Sequence, residues 1–195
     1  MKLNFENTFK LNYIEAVNSI DYKKINQLIY EINKIKRKGR IFFLGVGGSA
    51  GNCSHAVNDF RKICDIDCYT PIDNVSEITA RTNDEGFETI FSKYLKVSKL
   101  NKNDAIFIFS VGGGNIKKNV SVNLIEAIKY AKTKKAKIFS VTAKSDGYSH
   151  KNSDLSILIR VKNNKFITPI SESLQVYIWH LLVTSKKLSA NKTKW

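Results

Sequence analysis

Cysteine, proline and acidic residues are all scarce in this chain, and the shortage of cysteine already excludes some classes of protein. The 195 residues include 2 prolines and 3 cysteines. Three cysteines are too few for a disulfide framework, and no CxxC pair of the metal-binding type is present. Long apolar runs are also missing, so we expect no span across a bilayer. Residues 1–20 mix charged and apolar side chains at helical spacing, which predicts that they are not a signal peptide. We therefore expect a cytoplasmic protein in which the cysteines are small buried residues, namely Cys53, Cys64 and Cys68.

The shortage of acidic residues leaves a large positive charge. Asp and Glu number 17 against 32 Lys and Arg, so the formal net charge is +15. A basic chain can bind nucleic acid or an anionic ligand. The lysines are spread along the whole chain, however, with no helix-turn-helix pattern and no basic stripe interleaved with aromatic residues. We therefore expect a lysine-rich solvated surface, with neither nucleic acid nor a membrane as partner.

Predicted strands and helices alternate along the chain after two N-terminal helices in residues 5–20 and 23–36. This alternation predicts a three-layer α/β/α fold with a parallel sheet, in which the N-terminal helices are an added antiparallel pair. The length fits one domain, with helices in 1–38 and an α/β core in 39–195. The predicted strands lie in 39–46, 67–71, 104–114, 136–147 and 154–161. The helices that follow the N-terminal pair are predicted in 49–63, 86–98, 116–133 and 168–188. For the last of these helices we predict Thr168 as N-cap and Pro169 at the first helical position.

Two of the predicted strands end in glycine and serine. The segments are GVGGS at 45–49 and SVGGGN at 110–115, and a helix follows each. Glycines leave room for an approaching anion, and the following helix N-terminus directs free N–H groups at it. Ser49 and Ser110 add hydroxyl donors. Because ligands of parallel sheets bind beyond the carboxyl ends of the strands, we expect a site for a small phosphorylated molecule there.

Two alternatives to a phosphate site remain open for these glycines. They could simply terminate strands. The first loop also fits the dinucleotide fingerprint G-x-G-x-x-A, and Asp65 and Asp67 lie downstream. Two helices precede this loop, however, whereas such folds usually open on the strand, and the second loop has no place in that fingerprint.

Histidines and carboxylates on two helices could form a metal or acid–base group. His55 and Asp59 are four residues apart and share a helix face. Glu172 and His180 are eight apart, with Gln175 between them, within one broad helical stripe. Two histidines and two carboxylates would complete a tetrahedral zinc shell, although the sequence does not show that the helices meet. Taken singly, His180 fits a core histidine, and His150 is expected in a solvated turn.

The chain resembles the sugar isomerase (SIS) domain proteins, and within them the phosphoheptose isomerases. The similarity lies in GVGGSAGNCSHAVNDF, ITARTNDEGFETIFSKYL, DAIFIFSVGGGN and ESLQVYIWHLL, which occur in the family's order. It implies a flavodoxin-like sheet (the SIS fold) and a homotetramer with sites at subunit boundaries, in which the apolar stripe FENTFKLNYIEAV is interface rather than monomer core.

The resemblance also implies roles for individual residues. Ser49, Ser110 and the backbone after Ser110 would hold the sugar phosphate, and Asn83 and Asp84 would line the sugar site. Asp59 would be the catalytic base and His180 the proton shuttle. A divalent metal, expected to be zinc, would be bound by His55, Asp59, Glu172 and His180. No nucleotide cofactor is implied. The backbone that binds the phosphate would be that of Gly112, Gly113, Gly114 and Asn115.

Some residues depart from the family's pattern. Val46 replaces an asparagine, Asp59 a glutamate and Glu172 a glutamine, and the second loop has fewer hydroxyls, which Lys117 or Lys118 could replace with charge. The implied function is conversion of sedoheptulose 7-phosphate to a D-glycero-manno-heptose 7-phosphate, for nucleotide-activated heptose and a surface polysaccharide. The alternatives are a non-catalytic sugar-phosphate-binding protein, an isomerase of another ketose phosphate and an oxidoreductase that binds a dinucleotide.

Overall fold

A parallel sheet of five strands forms the centre of the computed structural model, which describes residues 4–192. The sheet order is β2-β1-β3-β4-β5, and every neighbouring pair is parallel. This is the flavodoxin-like order, so the predicted fold class is confirmed. The strands are β1 (Ile41–Leu44), β2 (Cys68–Tyr69), β3 (Ala105–Phe109), β4 (Lys137–Thr142) and β5 (Leu155–Leu158).

Helices cover both faces of the sheet, because alternate strand residues point to opposite sides. Phe43 and Phe107 face one helical layer, while Phe42 and Ile106 face the other. The first layer contains α2, α3 and α8, and the second contains α5 and α6. The α-helices in residues 4–192 are α1 (Phe5–Asn18), α2 (Tyr22–Ile35), α3 (Gly48–Cys64), α4 (Val75–Glu85), α5 (Ile90–Val97), α6 (Val122–Thr133), α7 (Tyr148–Asn152) and α8 (Ile167–Val183).

The N-terminal helices pack on the chain's own core. Residues of α2 such as Leu28 and Ile32 are buried against the sheet layer. The apolar stripe of α1 divides: Phe9 and Tyr13 pack against the core, and Phe9 lies 5.1 Å from the Phe166 ring between centroids. The expectation that this stripe is interface rather than monomer core is therefore wrong for these two residues. Other apolar side chains of α1 are exposed, namely Phe5, Leu11 and Ile14.

Three helix boundaries differ from the prediction. The last helix begins at Ile167 and ends at Val183, so Thr168 is not its N-cap. Pro169 is accommodated because the first N–H groups of a helix have no intrahelical partner. Helix α6 begins at Val122, since residues 115–120 instead form a tight turn with a bridge between Asn115 and Val120. The predicted helix at 86–98 is a 3₁₀ turn, Phe87–Thr89, followed by α5.

Two helices were not predicted, α4 and α7. No residue of α4 is fully buried, and Val75 and Ile78 are its only large apolar side chains, so the apolar pattern that predicts a helix is short there. The α7 helix contains His150, which is partly buried rather than solvated, because its Nδ1 lies 2.8 Å from the Ser156 hydroxyl of β5. Within residues 4–192, no helix is both long and apolar enough to cross a bilayer.

Candidate functional site

Both glycine loops lie at the point where the direction of strand order reverses. Strands β1 and β3 are neighbours, and their crossover connections run to opposite sides of the sheet. The loops that follow them therefore flank one crevice at the carboxyl edge, which is where open α/β sheets bind ligands.

The first loop leads directly into α3. Gly47 is the residue before the helix and has φ +63°, a left-handed conformation that favours glycine. Ser49 is buried, and its Oγ accepts a hydrogen bond from Gln175 Nε2 at 3.0 Å. Gln175 in turn accepts from Asn52 Nδ2 at 2.8 Å. This buried chain fixes Ser49 against α8, and the hydroxyl proton of Ser49 has no acceptor among residues 4–192.

The second loop is held by its own hydrogen bonds. Gly113 N–H donates to Ser110 Oγ at 2.9 Å, and the Gly113 carbonyl accepts from the Ser149 hydroxyl at 2.8 Å. Gly113 and Gly114 have φ of +72° and +85°, which permits the tight path. Gly112 is exposed at the tip of the loop. The Ser110 hydroxyl oxygen, like that of Ser49, accepts a hydrogen bond within residues 4–192. Its proton therefore remains available for a hydrogen bond to a ligand.

The other residues predicted to bind the sugar or its phosphate lie at the end of the second loop and in helix α4. Asn115 Oδ1 accepts from the Lys118 N–H at 3.0 Å, so its side chain closes the turn after the loop. Asn83 and Asp84 are exposed in the last turn of α4, where Asn83 Nδ2 donates to Asp84 Oδ1 at 2.7 Å. Their roles in sugar binding stay predictions.

A histidine pair and one carboxylate meet between α3 and α8. His55 Nε2 lies 3.4 Å and His180 Nε2 lies 3.2 Å from the same oxygen, Asp59 Oδ2. Asp59 is 8% exposed, whereas about half of each histidine side chain faces solvent. The three ligand atoms lie within 4.8 Å of one another. The group could therefore hold a divalent metal, because two imidazoles and a carboxylate are a common zinc set with an open fourth position.

Glu172 is not a member of this group. A Cβ built on Gly48 would lie 2.5 Å from Glu172 Oε2, so the carboxylate rests against the first turn of α3. The Glu172 carbonyl accepts from Asn52 Nδ2 at 2.9 Å. Of the four predicted metal ligands, the structure thus brings three together and places the fourth at the neighbouring helix N-terminus, where a negative charge is favourable.

Two donors to Asp59 were missed by the sequence reasoning. Trp179 Nε1 donates to Asp59 Oδ2 at 3.0 Å, and Asn58 Nδ2 donates to Oδ1 at 3.1 Å. Trp179 is fully buried and stacks on Phe109 with ring centroids 5.8 Å apart. The available signal was its position beside His180, but a tryptophan there is also what a core helix would carry.

The cysteines take no part in this site. All three are buried and free, as expected. Burial raises the pKa of the Cys64 thiol to about 11 and that of the Cys68 thiol to about 12. Such thiols remain protonated near neutral pH and are poor nucleophiles or metal ligands.

Comparisons with known proteins agree with the fold and with the resemblance. Over 150 residues the chain is 31% identical to the lincomycin biosynthesis protein LmbN of Streptomyces lincolnensis, covering 74% of this chain and 54% of that protein. It is 31% identical to the phosphoheptose isomerase of Buchnera aphidicola, covering 64% and 62%. The Haemophilus ducreyi phosphoheptose isomerase is 28% identical, with 89% and 88% covered. The chain therefore spans roughly half to two thirds of the first two relatives. No family model matches it.

Solved structures show the same architecture. A phosphoheptose isomerase from Francisella tularensis superposes with a TM-score of 0.75 at 21% identity, covering 92% of both chains. The Neisseria gonorrhoeae phosphoheptose isomerase gives a TM-score of 0.72 at 20% identity, covering 92% of this chain and 98% of that one. The chain thus has the α/β fold of the SIS sugar isomerases. More narrowly, the chain is phosphoheptose isomerase-like, which confirms the resemblance predicted from its motifs.

Proposed function

We propose that the chain is an aldose–ketose isomerase that converts sedoheptulose 7-phosphate to D-glycero-manno-heptose 7-phosphate. The observation that carries the proposal is the convergence of His55, Asp59 and His180 beside two serine–glycine loops at one sheet edge. The similarity to phosphoheptose isomerases over most of the chain supports the choice of substrate. The product would enter the synthesis of nucleotide-activated heptose for a surface polysaccharide. A cytoplasmic location and a homotetramer remain part of the same prediction.

The reaction needs a proton moved between two adjacent carbons. A base removes a proton from C1 of the ketose to give an enediol, and a proton is then delivered to C2, so that the carbonyl moves to C1. Asp59 is the base in this scheme, because its carboxylate is buried and fixed. His180 transfers the proton between the two oxygens, since its ring is half exposed and contacts Asp59.

The donor set of the histidine–aspartate group fits zinc. His55, Asp59 and His180 would hold it, with Glu172 the predicted but more distant fourth ligand. A bound zinc ion would polarise the substrate carbonyl and stabilise negative charge on the enediolate. The phosphate would lie against the loops that contain Ser49 and Ser110, whose hydroxyl protons point to no acceptor in the described chain.

A panel of ketose phosphates tests the proposal. Purified protein with added zinc is incubated with seven-, six- and five-carbon ketose phosphates, and aldose formation is followed by NMR. We expect turnover of sedoheptulose 7-phosphate, with incorporation of one solvent deuterium at C2 in deuterated water. Turnover of a shorter ketose phosphate alone would change the substrate. Tight binding of a sugar phosphate without turnover would replace the isomerase with a sugar-phosphate sensor.

A further inference from the structure

The indole of Trp179 contacts all three members of the histidine–aspartate group from the buried side. Its ring centroid is 5.2 Å from that of His55 and 5.2 Å from that of His180, in edge-on contacts. Its Nε1 donates to Asp59 Oδ2 at 3.0 Å, the oxygen that both histidines face. The side chain is fully buried, so it contacts Asp59 without reaching the open side of the site.

The chemistry of this donor suits it to hold a carboxylate in place. An indole N–H can donate but cannot accept, and it carries no charge that could compete for a metal or a proton. Stacking on Phe109 fixes the ring plane, and therefore the direction of the N–H bond. The oxygen that accepts from Trp179 is also the one that both histidines face, so this hydrogen bond resists rotation of the carboxylate away from His55 and His180.

We propose that Trp179 is a positioning residue that aims the Asp59 carboxylate at the two histidines and at the reacting centre. It touches neither substrate nor metal and acts through Asp59. The inference rests on the proposed function for its catalytic consequence. Its consequence for metal binding does not depend on which sugar phosphate is the substrate.

The Trp179→Phe variant removes the N–H and keeps an aromatic ring in the core. Partners that orient a metal ligand typically change metal affinity by about 10- to 100-fold. We expect zinc affinity, measured by competition with a chromophoric chelator, to fall within about that range. We also expect kcat to fall by about 10- to 100-fold with little change in KM, because misaligned catalytic groups cost rate and Trp179 makes no substrate contact.

Two further variants separate positioning from packing. Phe107→Leu disturbs the same aromatic core, in which Phe107 contacts the rings of Phe43, Phe109 and Phe139. It should lower the melting temperature while leaving zinc affinity and kcat unchanged. Replacing Trp179 with benzothienylalanine, which has sulfur in place of the N–H, keeps the shape and should reproduce the Trp179→Phe defects. This second replacement decides the matter if Trp179→Phe fails to fold.

The outcomes are distinct. Wild-type zinc affinity and kcat in folded Trp179 variants would overturn the positioning role and leave the proposed function standing. A wild-type chain that binds zinc in a Trp179-dependent way but isomerises no ketose phosphate would overturn the function alone. A wild-type chain that does neither overturns both, because Asp59 would then have nothing to be aimed at.

Discussion

At the residue scale, Asp59 is the group on which the proposed chemistry depends. Asp59→Asn keeps the volume and leaves an oxygen that can still accept from Trp179, but it removes the base. We expect the isomerase rate to fall by about 10²–10⁴-fold, the usual contribution of a general acid or base, with an unchanged circular dichroism spectrum. His180→Gln should give a similar loss by removing the proton shuttle. Asp65→Asn, at the far end of the same helix, is the control and should retain full activity. Wild-type rates in both site variants would show that the group is not catalytic.

His150 gives a second prediction at this scale. Its pKa is lowered, first by burial and then by the positive charges of Lys24, Arg160 and Lys151. An unfolded chain therefore binds more protons than the folded one between the lowered pKa and about 6.5, so stability rises with pH in that window. We expect the melting temperature to be highest above about pH 6.5 and to fall as the pH drops below it. His150→Asn should have a smaller drop between pH 7 and pH 5, and an equal drop would contradict the prediction.

Individual site residues could be predicted from the sequence where their spacing is local. His55 and Asp59 are four apart, and that spacing places them on one helix face. Their meeting with His180 could not be predicted from the residues alone, because it depends on the packing of α3 against α8. The same packing positions Trp179. Its hydrogen bond to Asp59 could not be predicted, because a buried tryptophan is also what a core helix contains. Glu172 lies on the same helix as His180 but about two turns away, so its carboxylate lies beside Gly48 and not beside Asp59.

At the element scale, the second glycine loop is stabilised by the hydroxyl predicted to bind phosphate. Ser110→Ala removes a donor to the ligand and leaves the Gly113 N–H without its acceptor. We expect sugar-phosphate binding to weaken by about 1–3 kcal/mol in calorimetry. Binding of the corresponding free sugar should be unaffected. Equal weakening for both ligands would mean that this loop does not hold the phosphate.

The strands were easier to predict than the short helices. Apolar runs that end in glycine mark β1 and β3, because strands buried on both faces are continuously apolar. Helix α4 has no fully buried residue and few large apolar side chains, so its sequence gives only a short apolar pattern. One local signal existed: Asn74 caps α4 by accepting from the Glu77 N–H at 3.1 Å, and the pair has the spacing of a capping box. The predicted start of α6 is too early, because Ile116 and Val120 in the turn at 115–120 have the spacing of apolar residues in a helix.

At the scale of the whole molecule, the exposed apolar residues of α1 bear on assembly. Phe5, Leu11 and Ile14 remain exposed although the opposite side of the helix packs on the core. Light scattering at micromolar concentration should give four times the chain mass of 22.1 kDa. Leu11→Glu should lower that mass, because a charge would have to be buried in the interface. Lys10→Glu, the neighbouring exposed position, is the control. A wild-type monomer with full isomerase activity would exclude the tetramer as a requirement.

Part of the positive charge is grouped at one edge of the molecule, although the lysines are dispersed in the sequence. Helices α2, α5 and α6 run antiparallel to the strands, so their C-terminal ends meet at the amino edge of the sheet, opposite the candidate site. Cations suit helix C-termini. Here they also line a groove of about 420 Å³, which contains Lys36, Arg37, Lys38 and Arg40 against Asp67 and Asp104.

The excess of positive charge, +15 over the whole chain, should destabilise the folded state at low ionic strength. Raising NaCl from about 0.01 M to 0.5 M shortens the screening length several-fold. We therefore expect the melting temperature to rise by a few degrees, where about 2–4 °C corresponds to 1 kcal/mol in a chain of this size. Lys38→Glu should raise the melting temperature at low salt by relieving repulsion. Lys162→Glu makes the same charge change but breaks the contact with Glu15 at 3.1 Å, so it should not stabilise the chain equally. A melting temperature independent of salt, or equal gains from both variants, would show that the crowding of charge at the amino edge has no energetic consequence.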